Sequence, residues 1–216
     1  IYKIILVMTQ AVIKCAPLGV FGLMTKTVSN TGLSIFKELG LYALTIACGL
    51  SIHLFIVLPL ILIIFVKTNP LNHYRAMASA MVTAFSTSSS SATLPVTMKC
   101  VKDNVKVSNE VTSFVLPMGA TINMDGTALY ECAGVLFIAQ ALGISLDAGQ
   151  QFIVVITALL ASIGAAGIPS AGLVMLFIVT DAVGLKSDAV ALWVGSMLAI
   201  DRPLDMFRTT VNITSD

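Results

Sequence analysis

Asn123-Met124-Asp125-Gly126-Thr127 interrupts a long apolar run that extends from Val111 to Tyr130, in which Asp125 is the only charge. A carboxylate inside an apolar membrane helix is costly and is rarely kept without a partner. Gly126 loosens the helix and frees backbone carbonyls, and carbonyl, amide, carboxylate and hydroxyl oxygens are the ligands that a small, hard cation accepts. The stretch therefore predicts a broken membrane helix that holds an ion. A polar kink satisfied by a neighbouring helix is the alternative.

The composition is that of an integral membrane protein. Of the 216 residues, 57% are hydrophobic and 11% are charged, whereas a soluble domain has about 25% charged residues. The mean hydropathy is +0.96. The net charge of +1 gives no support for nucleic acid as a partner. Because the chain begins at Ile1 within an apolar stretch, we expect it to be a piece of a longer chain.

The N-terminal part predicts two membrane helices. Residues 1–38 are expected to form a scaffold-type transmembrane helix, at Ile4–Val28, followed by a loop. Leu39–Val66 has no charge and predicts a spanning helix that opens a core of residues 39–216. We assign no role to His53 in this helix, because a single His there is usually a hydrogen-bonded packing residue.

Two uncharged segments, Ala76–Met98 and Ala148–Thr180, have centres that do not sustain a straight helix. The first contains the serine-rich stretch Ser86–Pro95, in which Pro95 is expected to stop the helix, and the second contains the Gly- and Pro-rich stretch Ser162–Gly172. Each segment is therefore predicted to be a pair of short helices that meet at an unwound tip.

The positions of the charges indicate how these two hairpins enter the membrane. Basic residues flank the first hairpin on both sides, in the predicted loop Lys67–Arg75 and again from Lys99 to Lys106, but they are scarce around the second. Because positive loops mark the cytoplasmic side, the first hairpin is predicted to be re-entrant from the cytoplasm and the second from outside.

Each hairpin is followed by a helix with a polar centre, at Val111–Leu142 and at Ala189–Asp216. In the last helix, polar residues recur at every third or fourth position and therefore share one stripe of its surface. These residues are Asp201, Asp205, Arg208, Asn212 and Asp216. Such a stripe cannot face lipid, so it is expected to face the protein interior. A purely structural salt bridge between Asp205 and Arg208 is the alternative.

The order of hairpin and polar-centred helix occurs twice, with the two units entering from opposite faces. Inverted repeats with interrupted helices are typical of secondary transporters, whose binding site lies where the breaks converge. The predicted fold is an all-α membrane protein in which transmembrane helices, some of them broken, accompany two re-entrant helical hairpins in inverted repeats.

Four motifs, taken in order, resemble those of the glutamate transporter family. They are the serine-rich tip, Asn123–Thr127, the tip Gly167–Gly172 and the polar last helix. The family includes sodium- or proton-coupled carriers of dicarboxylates and of acidic or neutral amino acids. The resemblance implies a multi-pass protein of the plasma membrane, surrounded by lipid and trimeric at full length. It also implies that residues 39–216 form the transport core, with sodium as the coupling ion and no other cofactor.

The resemblance implies substrate-binding roles for residues of both tips and of the two polar-centred helices. Arg208 would pair with the side-chain carboxylate of an acidic substrate, since a guanidinium fork suits that geometry, and Asp205 would bind the substrate ammonium. The other residues implied to bind the substrate or to close over it are Ser90, Thr127, Ile168, Gly172, Thr209 and Asn212.

The resemblance also implies three sodium sites. The first would use the carbonyls of Gly119, Asn123 and Asn212 with the carboxylate of Asp216. The second would use backbone at Thr121, Ser162, Ile163 and Ala165. The third would combine Asn123 and Asp125 with residues of an earlier helix, which is expected to precede the chain.

Three positions distinguish this chain within the family pattern. Ser88 stands where bacterial and archaeal relatives often have Arg, and Ser215 stands where Gly is usual. Glu131 matches a position that carries a proton in animal relatives, and desolvation favours the neutral form of a carboxyl group. Glu131 is therefore a candidate proton carrier, with a hydrogen-bonded structural Glu as the alternative.

The leading functional prediction is a secondary active transporter for L-glutamate or L-aspartate, driven by sodium and by protons if Glu131 carries them. The main alternative is a neutral amino acid or C4-dicarboxylate carrier of the same family. Arg208 argues against the neutral carrier, because such relatives usually replace it, and Asn123-Met124 in place of Asn-Leu argues against plain dicarboxylates. An intramembrane serine hydrolase would need a base, and the sequence offers only His53 and His73. We therefore expect no enzymatic activity. A channel is the third alternative.

Overall fold

The computed structural model describes residues 17–19, 21–22, 24–26, 28–29, 32–186 and 188–216. The predicted helix Ile4–Val28 lies largely outside these residues. The described residues from 32 onward form helices and no strands, in the order α1 (Ile35–Val66), α2 (Pro70–Thr87), α3 (Ser90–Cys100), α4 (Asn109–Ile122), α5 (Asp125–Ala141), α6 (Ala148–Gly164), α7 (Ala171–Ala182) and α8 (Asp188–Ser215). The predicted all-helical class is confirmed.

The helix before the first tip begins at Pro70, so the predicted loop Lys67–Arg75 is wrong from Pro70 onward. Asn69 caps α2 by accepting a hydrogen bond from the backbone N–H of Leu71 at 2.9 Å. Proline is well suited to the first helical position, since its fixed φ is already helical and its missing N–H has no partner there. The Asn-Pro pair therefore starts the helix instead of extending the loop.

Both predicted tips interrupt the helix at a serine with a left-handed backbone. Ser88 has φ of 52° between α2 and α3, and Ser170 has φ of 60° directly before α7. This conformation is uncommon for residues other than glycine. Pro95 lies inside α3, so the expectation that it stops the helix is wrong: α3 restarts at Ser90, capped by Ser89. The re-entrant course of the two pairs stays a prediction.

Helix α8 is the centre of the fold. It packs against α1, α2, α3, α4, α5 and α7. Its polar stripe faces the interior as predicted, with Asp201, Asp205, Arg208 and Asn212 buried. Beside the stripe lies an apolar core of residues from α1, α5, α6, α7 and α8, which includes Ile46, Tyr130, Leu176 and Met197. In a bilayer such helices associate through close packing and polar contacts, and α8 supplies both.

Large apolar side chains cover the outer faces of several helices. Phe55, Phe65, Phe114 and Phe152 are each more than half exposed, and such surfaces are typical of contact with lipid or with further protein. Among the described helices, α1 alone is long and apolar enough to cross a membrane. Helices α6 and α7 are apolar but shorter.

Candidate functional site

A small cavity lies where the two tips meet α5 and α8. Its volume is about 20 Å³, which is room for about one water molecule. All eight residues implied to bind substrate line it: Ser90, Thr127, Ile168, Gly172, Asp205, Arg208, Thr209 and Asn212. The other lining residues are Ser88, Met124, Ala165, Ala166, Gly167 and Ala171. The structure thus brings together residues that are far apart in the sequence.

Arg208 is the charged centre of this cavity and is only 2% exposed. Its Nη2 donates to Asp205 Oδ1 at 2.5 Å and lies 3.9 Å from Asp201 Oδ1. The guanidinium carbon is 4.3 Å from the centre of the Tyr130 ring, so Tyr130 adds a cation–π contact. Among the described residues, Arg208 Nη1 has no hydrogen-bond partner although it is buried. One arm of the guanidinium fork is therefore held, and the other has an unused donor.

The second tip packs against this ion pair. The backbone N–H of Ser170 donates to Asp205 Oδ2 at 2.8 Å. A Cβ atom added at Gly172 would lie 2.8 Å from Arg208 Nη1 and 3.0 Å from Thr127 Cγ2. Glycine is therefore required at residue 172 for α7 to approach the unused arm of Arg208 so closely.

The start of α5 is bound to α8 through the Asn212 amide. Asn212 Oδ1 accepts from the Gly126 N–H at 2.8 Å, and Asn212 Nδ2 donates to Thr127 Oγ1 at 3.0 Å. Gly126 is needed here as well, since a Cβ there would lie 2.9 Å from the Arg208 carbonyl oxygen. The predicted break at Asn123–Thr127 is confirmed: α4 ends at Ile122 and α5 begins at Asp125.

The two tips also contact each other. Ser89 Oγ donates to the Gly167 carbonyl oxygen at 2.6 Å, and the Ser91 N–H approaches the same oxygen at 3.3 Å. A Cβ at Gly167 would lie 2.7 Å from Ser91 Oγ and 3.1 Å from the Ala120 carbonyl oxygen. The second tip is therefore seated on both the first tip and the end of α4.

Oxygen atoms from α4 and α8 meet beside the break. Asn123 Nδ2 donates to Ser215 Oγ at 2.9 Å and to Asp216 Oδ1 at 3.3 Å. A Cβ at Gly119 would lie 2.8 Å from Asp216 Oδ1, so glycine permits this approach. The Asn212 carbonyl oxygen is in the same region, because it accepts from Ser215 Oγ at 2.8 Å. The residues implied for the first sodium site thus lie together.

Asp125 forms a pair that the sequence did not predict. Its Oδ2 lies 2.5 Å from His53 Nε2 on α1, and its Oδ1 accepts from the Gly126 N–H and from Ser215 Oγ, each at 2.9 Å. His53 therefore contacts an implied ion ligand, although the sequence interpretation gave it no role. Two isolated polar residues in separate apolar runs, His53 and Asp125, were the available signal.

The residues implied for the second sodium site are divided between α4 and the region around the end of α6. These two helices pack against each other. Ser162 and Ala165 are buried, whereas Thr121 is exposed and Ile163 is 41% exposed. This site stays a prediction.

Glu131 and Asp201 are buried carboxyl groups behind the cavity. Glu131 is 0% exposed and Asp201 is 1% exposed. Within the part of the chain that the structure describes, neither carboxyl group has a hydrogen-bond partner by geometric criteria. A charged carboxylate without a donor is costly in such surroundings, and Arg208 is the nearby positive charge for Asp201.

Comparison with known proteins identifies the family. The sequence model of the sodium:dicarboxylate symporter family matches residues 1–216. The chain belongs to the sodium:dicarboxylate symporter family. This result confirms the resemblance that the four motifs indicated, and it applies to the whole chain, including the residues before Ile35.

Among similar members of this family are three excitatory amino acid transporters. The chain is 49% identical over 208 residues to human excitatory amino acid transporter 3, an alignment that covers 96% of the chain and 39% of the relative. It is 49% identical over 183 residues to mouse excitatory amino acid transporter 5, covering 85% and 32%. It is 46% identical over 203 residues to mouse excitatory amino acid transporter 2, covering 93% and 35%. The chain thus spans about two fifths or less of the length of these relatives.

Proposed function

We propose that the full-length protein is a secondary active transporter of acidic amino acids, L-glutamate or L-aspartate, driven by a sodium gradient. The observation that carries this proposal is the buried Arg208. Asp205 binds its Nη2, while Nη1 has no hydrogen-bond partner among the described residues and lies beside the cavity. A buried, half-used guanidinium fork suits a ligand carboxylate, because the second arm gains a charge-assisted hydrogen bond on binding. Family membership and the names of the relatives point to the same class.

The groups around Arg208 suit the rest of an amino acid. Asp205 is a carboxylate that can accept hydrogen bonds from the ammonium group, with Arg208 and the Ser170 N–H fixing its orientation. Helices α3 and α7 both begin at the cavity, at Ser90 and Ala171. Because helix N-termini favour anions, these two ends suit the α-carboxylate. Thr127 and Asn212 supply further polar contacts.

The groups beside the break suit sodium as the transported coupling ion. The donor set consists of carboxylate, amide, hydroxyl and backbone carbonyl oxygens around Asn123, Asp125, Asn212 and Asp216. Hard cations prefer such ligands, and the C-terminal end of α4 adds the negative end of a helix dipole. Glycine at residue 119 leaves room for the Asp216 carboxylate. We propose that Asp125 and Asp216 belong to ion sites and do not contact the substrate.

The size of the cavity implies movement during transport. An amino acid needs far more than about 20 Å³, so the tips must separate or the side chains must rearrange before a substrate enters. We propose that the second tip, Gly167–Gly172, opens to the outside and the first to the cytoplasm, as alternating access between inverted repeats requires. Separation breaks the contact of Ser89 with Gly167 and that of Ser170 with Asp205.

The setting of the full-length protein is part of the same proposal. The exposed apolar faces of α1, α4 and α6 suit lipid or further helices of the longer chain. We propose a multi-pass protein of the plasma membrane, and the exposed apolar faces support this setting. The resemblance to the family implies that the full-length protein is a trimer. Glu131, buried without a hydrogen-bond partner among the described residues, is the proposed proton carrier.

The geometry gives no support to a serine hydrolase. The imidazole Nε2 of His53 is paired with Asp125, and Ser89 of the serine run donates to the second tip. A nucleophilic serine requires a base within hydrogen-bond distance, and His73 lies in α2 and is not among the residues that line the cavity.

Replacement of Arg208 tests the proposal. In Arg208→Cys, a substrate carboxylate and Asp205 both lose their cationic partner, a loss of about 3–5 kcal/mol for a buried pair. Uptake of aspartate by full-length protein in liposomes is expected to fall at least a hundredfold, while uptake of serine or alanine is retained or gained. Arg202→Cys, an exposed arginine on the same helix, is the matched control. Undiminished aspartate uptake by Arg208→Cys would refute the assignment.

A further inference from the structure

The hydroxyl group of Ser215 lies between residues of two implied ion sites. Its Oγ is 2.9 Å from Asn123 Nδ2, 2.9 Å from Asp125 Oδ1 and 2.8 Å from the Asn212 carbonyl oxygen. Ser215 stands where the family usually has glycine, so these contacts are a property of this chain. One hydroxyl group thus contacts an implied ligand of each site, the Asp125 carboxylate and the Asn212 carbonyl oxygen.

The Ser215 hydroxyl can donate to only one of two neighbouring acceptor oxygens at any moment. A serine hydroxyl has a single hydrogen to donate and accepts through its lone pairs. Asn123 Nδ2 can only donate, so it takes a lone pair of the hydroxyl. Asp125 Oδ1 and the Asn212 carbonyl oxygen can only accept, and both are within hydrogen-bond distance. The single hydrogen must therefore serve one of the two oxygens and leave the other.

These two oxygens belong to different ion sites in the proposed function, on which the following inference rests. The Asn212 carbonyl belongs to the site with Asp216, and the Asp125 carboxylate belongs to the other. We propose that the Ser215 hydroxyl couples the two sites, by giving its hydrogen to whichever oxygen is not engaged by a sodium ion. With one ion bound, the hydrogen turns to the remaining oxygen and no hydrogen bond is lost.

The second ion meets a different situation. When sodium engages both oxygens, the hydroxyl hydrogen faces a cation at either acceptor, and the positive charge opposes its hydrogen bond in this part-buried position. Binding of the second ion therefore forfeits about one hydrogen bond, which corresponds to roughly three- to tenfold in affinity. The result is negative coupling: each ion weakens the binding of the other by the same factor. A glycine or alanine at residue 215 has no hydroxyl and lacks this coupling.

The test is a sodium titration of the purified full-length protein without substrate. Thermal unfolding midpoints are measured against sodium concentration, with choline holding the ionic strength constant, because an ion that binds the native state raises the midpoint. In Ser215→Ala the second ion is expected to bind about three- to tenfold more tightly than in the parent, giving a steeper titration. Ser215→Thr, which keeps the hydroxyl, is expected to match the parent.

Ser196→Ala is the matched control, because it removes a buried hydroxyl from the same helix that bonds to the Leu192 carbonyl one turn earlier. Ser215→Gly gives the same test if the alanine variant does not fold. If the sodium titration of Ser215→Ala or Ser215→Gly is as steep as that of the parent, the coupling is overturned. Weaker sodium binding in these variants also overturns it, since the hydroxyl would then be a ligand. If the thermal unfolding midpoint of the parent protein does not change with sodium concentration, the proposed function itself is overturned.

Discussion

Replacing Gly119 by alanine should weaken sodium binding without touching the substrate cavity. A Cβ at this position would lie 2.8 Å from Asp216 Oδ1 and 3.1 Å from Asp216 Cγ, whereas ordinary contacts begin at 3.4 Å. The carboxylate must therefore retreat by 3.4 − 2.8, or about 0.6 Å. Its bond from Asn123 Nδ2 is already 3.3 Å long and is lost by such a shift. Loss of a hydrogen bond to a charged group costs about 1.5 kcal/mol, or roughly tenfold in sodium affinity.

The assay is the sodium concentration that gives half-maximal substrate binding to the full-length protein, which should rise about tenfold in Gly119→Ala. Gly40→Ala is the matched control, because Gly40 also lies in a helix and a Cβ there meets no atom of the described residues within 4 Å. Both variants gain about 0.5–1 kcal/mol of helix propensity, so only the contact with Asp216 differs. Equal sodium dependence in the two variants would refute the reasoning.

Three further predictions concern the break, the second tip and the buried carboxyl group. His53→Leu removes a partner of Asp125 and should lower the free energy of unfolding by about 1–3 kcal/mol, whereas His53→Gln can still donate a hydrogen bond; equal unfolding midpoints for the two variants would contradict this. A cysteine introduced by Ser170→Cys should react with an impermeant thiol reagent added outside, and substrate should protect it; reaction from the cytoplasmic side alone would reverse the proposed topology. Glu131→Gln should make substrate exchange insensitive to pH and should slow net uptake more than exchange, while a parental pH profile would leave Glu131 with a structural role.

The parts of the site that follow local rules were predictable from the sequence. Asp125 in an apolar run predicted the break between α4 and α5, since a single charge there needs the oxygen-rich surroundings that a broken helix provides. The spacing of polar residues in α8 predicted their shared buried face, because helical geometry alone sets which side chains align. The break at Ser88 was also signalled by the serine run that competes with the helix for hydrogen bonds.

The parts that depend on which helices are neighbours were not predictable. The pairing of His53 with Asp125 joins two helices far apart in the sequence, and no local pattern records such a contact. The same holds for the bond from the Ser170 N–H to Asp205, since a backbone donor leaves no trace in the residue type. Pro95 shows a different limit. It lies inside α3 beyond the first turn, so it cannot donate the usual hydrogen bond to the Ser91 carbonyl, and the residue type alone does not tell whether the surrounding packing tolerates that loss.

The carbonyl oxygen of Gly167 couples the movements of the two tips. It accepts hydrogen bonds from Ser89 and Ser91 of the first tip. Movement of either tip away from the other therefore breaks the same two hydrogen bonds. Ser89 is only 8% exposed. When the second tip moves away, water must therefore reach Ser89 to replace the lost hydrogen bond. In the proposed transporter, the opening free energies of the outer and inner passages are consequently not independent quantities. The effects of substitutions at Ser89 and Gly167 on these opening free energies should therefore be non-additive. A state in which both passages are open requires water to replace both serine donors at the Gly167 carbonyl oxygen.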